Sequence, residues 1–217
     1  MQTVEYTPNA TMPPPFSWGT TTDNLIVFSP VRRYTLEEFY ELPEPPDRAH
    51  YELIQGVLFF VPPPDPPHGK IDARLKVSLI RFTLQNNIAG SVYHPREAIY
   101  LSEDSATYFE PDMMYVSSEL DARMGVKRIS ADIVFEYLST STANYDRNAK
   151  AETYLSLGVQ ELWLVDHKTW TIEVRYATMR DNRLVWGSQV YERDETAESV
   201  LLAGWRVPVN EIFTGLL

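Results

Sequence analysis

The chain has 217 residues, enough for one domain with a sizeable hydrophobic core, and it contains no cysteine. The lack of cysteine excludes disulfide bridges and thiolate metal sites and fits a cytoplasmic protein. The formal net charge of −11 argues against a general nucleic-acid binder, because phosphate affinity normally comes from lysine and arginine. The sequence contains no apolar run of the roughly 18 residues that a membrane span needs and no signal-peptide pattern, so we expect neither feature.

The first third of the chain predicts an arm, a short helix and a hairpin. Residues 1–33 are rich in proline and threonine, which indicates an irregular arm that packs on the surface or on a partner chain. Thr35 is a suitable N-cap for a short helix that starts at Leu36. The apolar segment Tyr51–Val61, interrupted by Gln55-Gly56, predicts a β hairpin.

A long helix and a series of strands follow. Apolar residues at helical spacing predict a helix from His68 to about Asn87. A second helix is predicted over 145–157, ended by Gly158. The predicted strands cover residues 91–101, 111–116, 131–138, 161–165 and 172–177. More β hairpin is predicted up to Trp205, and a terminal helix over 210–216.

These elements predict the fold class. The strand–helix–strand run over 131–165 is long enough for a parallel crossover. The expected fold is α/β in the mixed, α+β sense, with a central mixed β-sheet flanked by helices. We expect a single domain over residues 34–217 behind the arm of residues 1–33.

Glu136 is the first residue that the strand pattern leaves unexplained. Both faces of the strand 131–138 are apolar, as in a central strand covered on two sides, and Glu136 lies in the middle of one face. An unpaired buried carboxylate costs several kcal/mol, so Glu136 needs a cation, hydrogen-bond donors or a proton. The alternative is a glutamate at a strand end that reaches solvent.

Asp112 raises the same question at the start of the strand 111–116. Aspartate is a poor strand former, and its ordinary role at this position is to bond a local amide. If the strands of Asp112 and Glu136 are neighbours, the two carboxylates can meet at one point. Such a pair suits Mg²⁺, which prefers hard oxygen ligands, retains waters and bridges to substrate phosphate.

Three further residues have both a functional and an ordinary interpretation. Lys150 can sit beside a metal and orient or deprotonate water, or it can form an exposed ion pair with Asp146 at spacing i, i+4. Glu52 lies between apolar neighbours and can support a metal or face solvent on an edge strand. His68 starts a helix, where a surface histidine is the ordinary interpretation.

Several short segments stand in a fixed order along the chain. They are Tyr51-Glu52-Leu53-Ile54-Gln55-Gly56, His68, Pro111-Asp112, Glu136-Tyr137-Leu138-Ser139, Tyr145-Asp146-Arg147-Asn148-Ala149-Lys150 and Gly158-Val159-Gln160-Glu161-Leu162-Trp163-Leu164-Val165-Asp166. Each is weakly specific, but the ordered set over about residues 35–215 resembles the Uma2 family, a branch of the PD-(D/E)xK nuclease superfamily. The resemblance implies a restriction endonuclease-like core.

The resemblance also implies site roles. Asp112 and Glu136 would be Mg²⁺ ligands with Glu52 assisting, and Mn²⁺ would substitute for Mg²⁺. In the parent motif the lysine lies two residues after the acid, which is Leu138 here, so the resemblance suggests that Lys150 supplies the amine. His68 would contact substrate phosphate.

Basic side chains outside these segments complete the expected site. Lys70 and Arg74 on the helix that starts at His68, and Arg147 near the acidic residues, are candidates for phosphate contacts, and a solvated helix face is the alternative for the first two.

The sequence therefore predicts a Mg²⁺-dependent endodeoxyribonuclease that hydrolyses phosphodiester bonds with an activated water. A homodimer is expected, because duplex DNA offers two strands related by two-fold symmetry. One alternative is a catalytically silent nuclease fold that binds nucleic acid or protein. Another is a two-carboxylate hydrolase acting on glycosides, which would need no metal.

Overall fold

The computed structural model describes residues 26–28, 32–64, 66–100, 106–126 and 128–216. Within these residues, no helix is both long enough and apolar enough to cross a membrane.

The described residues contain six α-helices and thirteen β-strands. The helices are α1 (Leu36–Tyr40), α2 (His68–Gln85), α3 (Ser118–Met124), α4 (Ala143–Tyr145), α5 (Ala151–Ser156) and α6 (Val209–Phe213). The strands are β1 (Ile26–Phe28), β2 (His50–Ile54), β3 (Val57–Val61), β4 (Gly90–Tyr93), β5 (Ile99–Tyr100), β6 (Tyr108–Phe109), β7 (Met113–Ser117), β8 (Ile133–Leu138), β9 (Glu161–Asp166), β10 (Thr171–Arg180), β11 (Arg183–Tyr191), β12 (Thr196–Glu198) and β13 (Arg206–Pro208).

A six-stranded mixed sheet forms the centre of the fold. Its strand order is β11-β10-β9-β8-β7-β4. The pair β8–β9 is parallel and the other neighbours are antiparallel, so the predicted crossover between residues 131 and 165 is confirmed. This crossover carries the chain from β8 through α4 and α5 to β9.

A second sheet, of five strands, has the order β1-β3-β2-β6-β5. It contains the predicted hairpin, now β2 and β3, with Gln55 and Gly56 in the turn. Part of the predicted irregular arm is regular instead, because Ile26–Phe28 pairs antiparallel with β3. The rest of residues 1–31 lies outside the described residues, so the division into arm and domain stays a prediction.

The structure differs from the predicted elements at two places. The strand predicted over 91–101 is wrong, because a turn after Tyr93 divides it into β4 and β5, which belong to different sheets. The sequence also gave no indication of α3, whose N-cap Ser117 accepts a hydrogen bond from the amide of Leu120 at 3.2 Å. Leu101 lies outside the described residues.

The faces of β8 are both covered, as the strand pattern predicted. Ile133, Phe135 and Tyr137 pack in one core cluster, together with residues of α2. Val134 and Leu138 pack in the other cluster, together with residues of α5. Burial on two sides makes β8 a central strand, and any charged side chain on it must find its partners inside the protein.

Glu161 is a buried carboxylate whose role is structural. It is fully buried, and one of its oxygens accepts hydrogen bonds from the amides of Val200 at 2.7 Å and Leu201 at 2.8 Å. The other accepts one from Trp163 Nε1 at 2.6 Å. Three donors satisfy this carboxylate without a cation, which contrasts with the acidic groups described next.

Candidate active site

A small cavity of about 100 Å³ opens where the two sheets and the helical crossover meet. Charged side chains from five different segments line it: Arg48, Arg96, Glu110, Asp112, Glu136, Asp146 and Lys150. His50 and His68 also line it, together with four prolines. The volume suits one phosphate-sized group with a few waters rather than a whole nucleotide duplex.

Asp112 and Glu136 are brought together by strand pairing. In the antiparallel pair β7–β8, Met113 lies opposite Phe135, and continuing this register by one residue sets Asp112 opposite Glu136. Asp112 Oδ2 accepts a hydrogen bond from the amide of Tyr137 at 2.7 Å. The local-amide role considered for Asp112 is therefore present, together with its position on the cavity wall.

Glu136 does not reach solvent at a strand end, because only 2 % of it is exposed. Its Oε1 atom lies 2.8 Å from Lys150 Nζ and accepts a hydrogen bond from the hydroxyl of Tyr154. The side chain therefore has the cation and the donor that burial on a central strand requires.

Lys150 is the centre of a buried acidic cluster. Its Nζ lies 2.8 Å from Glu136 Oε1 and 3.3 Å from Glu52 Oε1, and it lies 3.4 Å from the carbonyl oxygen of Glu110. Asp146 Oδ1 is 4.0 Å away. The alternative of an exposed Lys150–Asp146 ion pair is therefore wrong, because both residues are almost fully buried.

A π-helical turn, Asp146–Lys150, brings this lysine into the cavity. It lies between α4 and α5, so the predicted helix over 145–157 is confirmed as a helical segment with a local change of pitch. Such turns are rare and commonly mark functional sites. Asp146 and Lys150 lie at the two ends of this turn and are both buried, which their i, i+4 spacing did not predict.

The charges of the cluster shift the pKa values of its members. Burial opposes the charged form of Glu52, but Lys150, His50 and the amide of Glu110 outweigh it and lower the pKa of Glu52 to about 2. Burial raises the pKa of Glu136 well above its usual value, despite Lys150. The surrounding carboxylates outweigh burial at Lys150, so its pKa is raised and the amine is held charged.

Asp146 is a second acidic group whose charged form the cluster disfavours. Burial raises the pKa of Asp146 to about 7, against the attraction of Lys150. A raised acid pKa means that the folded state holds a proton that the unfolded state releases, so stability falls as pH rises from about 4 to about 7. In metal-free protein, Asp146→Asn should therefore be more stable than the wild type by about 2–4 kcal/mol above pH 7.

The advantage of Asp146→Asn should shrink as pH falls from about 7 toward about 4, because the wild-type carboxyl becomes protonated in the folded state over this range. Chemical unfolding followed by tryptophan fluorescence across this pH range measures it. Glu161→Gln is the matched control: it neutralises a carboxylate that three donors satisfy, and should lower stability. A pH-independent difference between Asp146→Asn and wild type would contradict the assignment.

His68 pairs with Asp112 at the start of α2. Its Nε2 lies 3.1 Å from Asp112 Oδ1, and its ring packs edge-on against Tyr137 at 4.9 Å between centroids. Burial disfavours the charged imidazole, but Asp112 and its acidic neighbours outweigh burial and raise the pKa of His68. The ordinary interpretation as a surface histidine does not hold, and a phosphate contact by His68 stays a prediction.

The three other basic residues predicted to bind substrate contact the protein itself. Lys70 Nζ donates to the carbonyl of Leu216 at 3.2 Å, and Arg74 donates to the carbonyl of Ile212 at 2.7 Å. Arg147 pairs with Glu173 at 2.5 Å and with Asp166 at 3.5 Å. None of the three lines the acidic cavity. Their contacts with phosphate stay predictions.

Four residues of the site were not found from the sequence. Tyr154 donates to Glu136, and Asp146 lies next to Lys150. The amide of Glu110 donates to Glu52 Oε1 at 2.8 Å, and His50 Nε2 lies 3.6 Å from the same oxygen. Two signals were available in the sequence: Glu110 and Asp112 flank Pro111, and His50 lies two residues before Glu52. Neither signal predicts that these side chains are buried.

The donor chemistry of the cavity fits a divalent cation held by two carboxylates. Asp112 and Glu136 supply hard oxygens on one wall, and Glu110 Oε2 is buried without a hydrogen bond. Among the described residues, no group of three or more His, Asp and Glu side chains is positioned to hold a metal. Glu52 does not line the cavity and lies behind Lys150, so its ligand role stays a prediction.

A larger groove, of about 1000 Å³, lies elsewhere, between α2 and the C-terminal segment. Arg74, Arg81, Arg206 and Glu211 line it, among mostly uncharged residues. It contains no buried acidic cluster, and its size alone does not provide reactive groups. The smaller cavity is therefore the candidate active site.

Comparisons with known proteins agree with this fold. A family model for Uma2, described as putative restriction endonuclease, matches residues 36–210. A crystal structure of a putative nuclease belonging to DUF820 from Anabaena variabilis aligns with 85 % of this chain and 99 % of that chain, with a TM-score of 0.65 and 19 % identity. At that identity the likeness concerns the fold. No curated protein matches the chain.

The family match includes every residue of the acidic cluster, from Glu52 in β2 to Lys150 in the π-helical turn. It also covers most of the six-stranded sheet and the helical crossover. Because the matched region spans most of the chain, we conclude that this protein is a member of the Uma2 family.

Proposed function

We propose that this protein is a metal-dependent endodeoxyribonuclease and that the small acidic cavity is its active site. One observation carries the proposal: Asp112, directly before β7, and Glu136, in β8, line one cavity beside the buried Lys150. A structural role does not require two carboxylates and a lysine to converge at an opening, because buried charges are costly. The family description as restriction endonucleases supports the same reaction class.

Asp112 and Glu136 would hold the metal, with waters and a substrate phosphate in the remaining positions. Mg²⁺, for which Mn²⁺ can substitute, would lower the pKa of water and offset negative charge on the phosphodiester. The cluster supports this role by its excess of acid, since Glu52, Glu136 and Asp146 surround the single buried cation Lys150. A second cation would relieve their repulsion.

Lys150 would act as a fixed positive charge. Three oxygen atoms lie within 3.4 Å of Nζ, which matches the three protons of an ammonium group. A charged amine has no free electron pair with which to accept a proton, so Lys150 orients Glu136 and favours negative charge nearby. Glu52 would assist by holding Lys150 rather than by reaching the metal.

The substrate would be DNA, entering with one phosphodiester at the cavity. The protein would act as a homodimer, since two copies related by two-fold symmetry can each cut one strand of a duplex. Light scattering of the purified protein, with and without duplex DNA, measures the oligomeric state.

A catalytically silent binding protein is the second candidate, and one observation favours it. No group of three His, Asp or Glu side chains in the described part of the chain is positioned for a metal. On this interpretation Lys150 neutralises the cluster permanently and no metal enters.

The two candidate functions differ in whether the protein cuts DNA when a divalent cation is present. With plasmid DNA, the purified protein should cut in Mg²⁺ or Mn²⁺, and an excess of EDTA should abolish cutting, because a few kcal/mol of charge stabilisation changes a rate by roughly 10²–10⁴-fold. Asp112→Ala, prepared in parallel, controls for contaminating nuclease. Absence of cutting in either cation, with the protein folded, would favour the silent binder. Cutting in EDTA would exclude the metal mechanism.

A further inference from the structure

We propose that Arg48 and Arg96 form a phosphate-binding rim at the mouth of the acidic cavity. The rim would hold backbone phosphates of a nucleic-acid strand on either side of the phosphodiester to be cut. The inference rests on the proposed function, and it identifies residues that neither the sequence motifs nor the family match singles out.

The two arginines reach the cavity from separate loops. Arg48 precedes β2, and Arg96 follows β4, and both line the opening. Arg96 Nη2 donates to the carbonyl of Arg48 at 3.1 Å, which ties the loops together. Both side chains are otherwise exposed, with 58 % of the Arg96 side chain accessible, so their guanidinium groups are available to a ligand.

Each arginine occupies a backbone position that favours glycine. In the turn from His94 to Glu97, Pro95 precedes Arg96, whose φ is +74°. A proline followed by a positive φ is the pattern of a type II turn, in which glycine is preferred at the second central position. A residue that keeps a side chain at such a position needs a reason other than the turn.

Arg48 repeats this arrangement in the other loop. The amide of Ala49 donates to the carbonyl of Pro46 at 3.1 Å, which closes a turn whose central residues, Asp47 and Arg48, have φ values of +59° and +64°. This pattern is that of a type I′ turn, in which an aspartate followed by glycine is common. Strained backbone of this kind occurs preferentially at functional sites.

The local charge supports a phosphate ligand. Arg48, Arg96 and Lys150 nearly balance the four carboxylates on the cavity wall, while the whole chain carries −11. Arg96 Nε lies 3.7 Å from Glu110 Oε2, a buried atom without a hydrogen bond. This long contact orients the Arg96 side chain, and its exposed guanidinium group can still bind a phosphate. Guanidinium groups bind phosphate through paired N–H donors, which suits a rim around an anionic substrate.

Glycine substitutions separate this role from folding. Arg48→Gly and Arg96→Gly relieve a positive φ in each turn, which offsets the loss of the Arg96 hydrogen bond to the carbonyl of Arg48, so the melting temperature should stay close to that of the wild type. Binding is measured by fluorescence anisotropy of a fluorescein-labelled DNA oligonucleotide, single-stranded and duplex, in EDTA at several salt concentrations. Each variant should bind roughly tenfold more weakly and reduce the salt slope by about one.

Two control variants lie where β10 turns into β11, at Asn182 in the turn and at Arg183, the first residue of β11. Asn182→Gly changes a residue with φ +60° without altering charge, and Arg183→Ala removes an exposed arginine away from the cavity. Both should bind like the wild type. If the Arg48 and Arg96 variants bind DNA as tightly as the wild type does, the rim is overturned. The proposed function is not affected by that result.

Plasmid cutting by the same proteins keeps the two proposals distinguishable. If binding depends on Arg48 and Arg96 but the wild type never cuts in Mg²⁺ or Mn²⁺, the nuclease proposal fails and the rim stands. If the wild type binds neither oligonucleotide, the rim is overturned, and plasmid cutting in Mg²⁺ or Mn²⁺ then tests the proposed function by itself.

Discussion

Lys150→Met should lower the free energy of unfolding of the metal-free protein by about 3–5 kcal/mol near pH 8, because it leaves buried carboxylates without their cation. Glu52 and Glu136 lie 3.3 and 2.8 Å from Nζ, and neither reaches solvent. Methionine fills a similar volume, so the loss comes from charge and not from a cavity.

The pH dependence of this loss follows from the raised pKa values in the cluster. The pKa values of Glu136 and Asp146 are raised by burial, so both carboxyls take up protons readily as the pH falls. A neutral carboxyl no longer needs Lys150. The difference in stability between Lys150→Met and the wild type should therefore be smaller near pH 5 than near pH 8.

Urea unfolding followed by tryptophan fluorescence in EDTA measures both quantities. Lys168→Met is the matched control, since Lys168 is exposed in a turn, and it should change stability by less than about 0.5 kcal/mol. A Lys150→Met protein as stable as the wild type near pH 8 would show that the amine does not hold the carboxylates together in solution.

Asp112→Asn and Glu136→Gln should each reduce the rate of plasmid cutting by roughly 10²–10⁴-fold, because each removes one of the two carboxylates proposed to hold the metal. The shape of each side chain is nearly unchanged. Glu136→Gln also removes a charge whose burial is unfavourable, since burial raises the pKa of Glu136. Its melting temperature should not fall, so lost cutting cannot be attributed to unfolding.

Glu161→Gln provides the opposite control. Glu161 is fully buried but lies outside the cavity, with its oxygens bound to Trp163 and to two backbone amides. The variant should lose stability and, below its melting temperature, retain cutting. Wild-type rates for both Asp112→Asn and Glu136→Gln would place the chemistry somewhere else on the protein.

The sequence predicted the elements that depend on local patterns. Apolar spacing gave α2, and the apolar run of β8 gave a strand buried on both faces. The turn residues Gln55 and Gly56 gave the hairpin of β2 and β3. The strand prediction failed over 91–101, where Pro95 was a turn signal but the residue with positive φ after it is Arg96 instead of glycine, so the type II pattern was incomplete.

The candidate site was partly predictable for the same reason. Glu136 and Asp112 attract attention because carboxylates are poorly suited to apolar strands, and this is visible in the sequence. Asp146 entered only as the partner of Lys150 in the alternative of an exposed ion pair at spacing i, i+4, and no role in the site was predicted for it. Both residues are buried on the π-helical turn, and no short-range pattern reports this turn or their burial.

By itself, the sequence determined most of the secondary structure and the central position of β8. It also showed acidic residues on otherwise apolar strands. Each of these features depends on neighbours within a few positions. Only the tertiary structure decided that Asp112, Glu136 and Lys150 share one cavity and that Arg48 and Arg96 stand at its mouth. Strand register and loop packing join residues far apart in the chain, and burial in their common environment sets which of them hold charge.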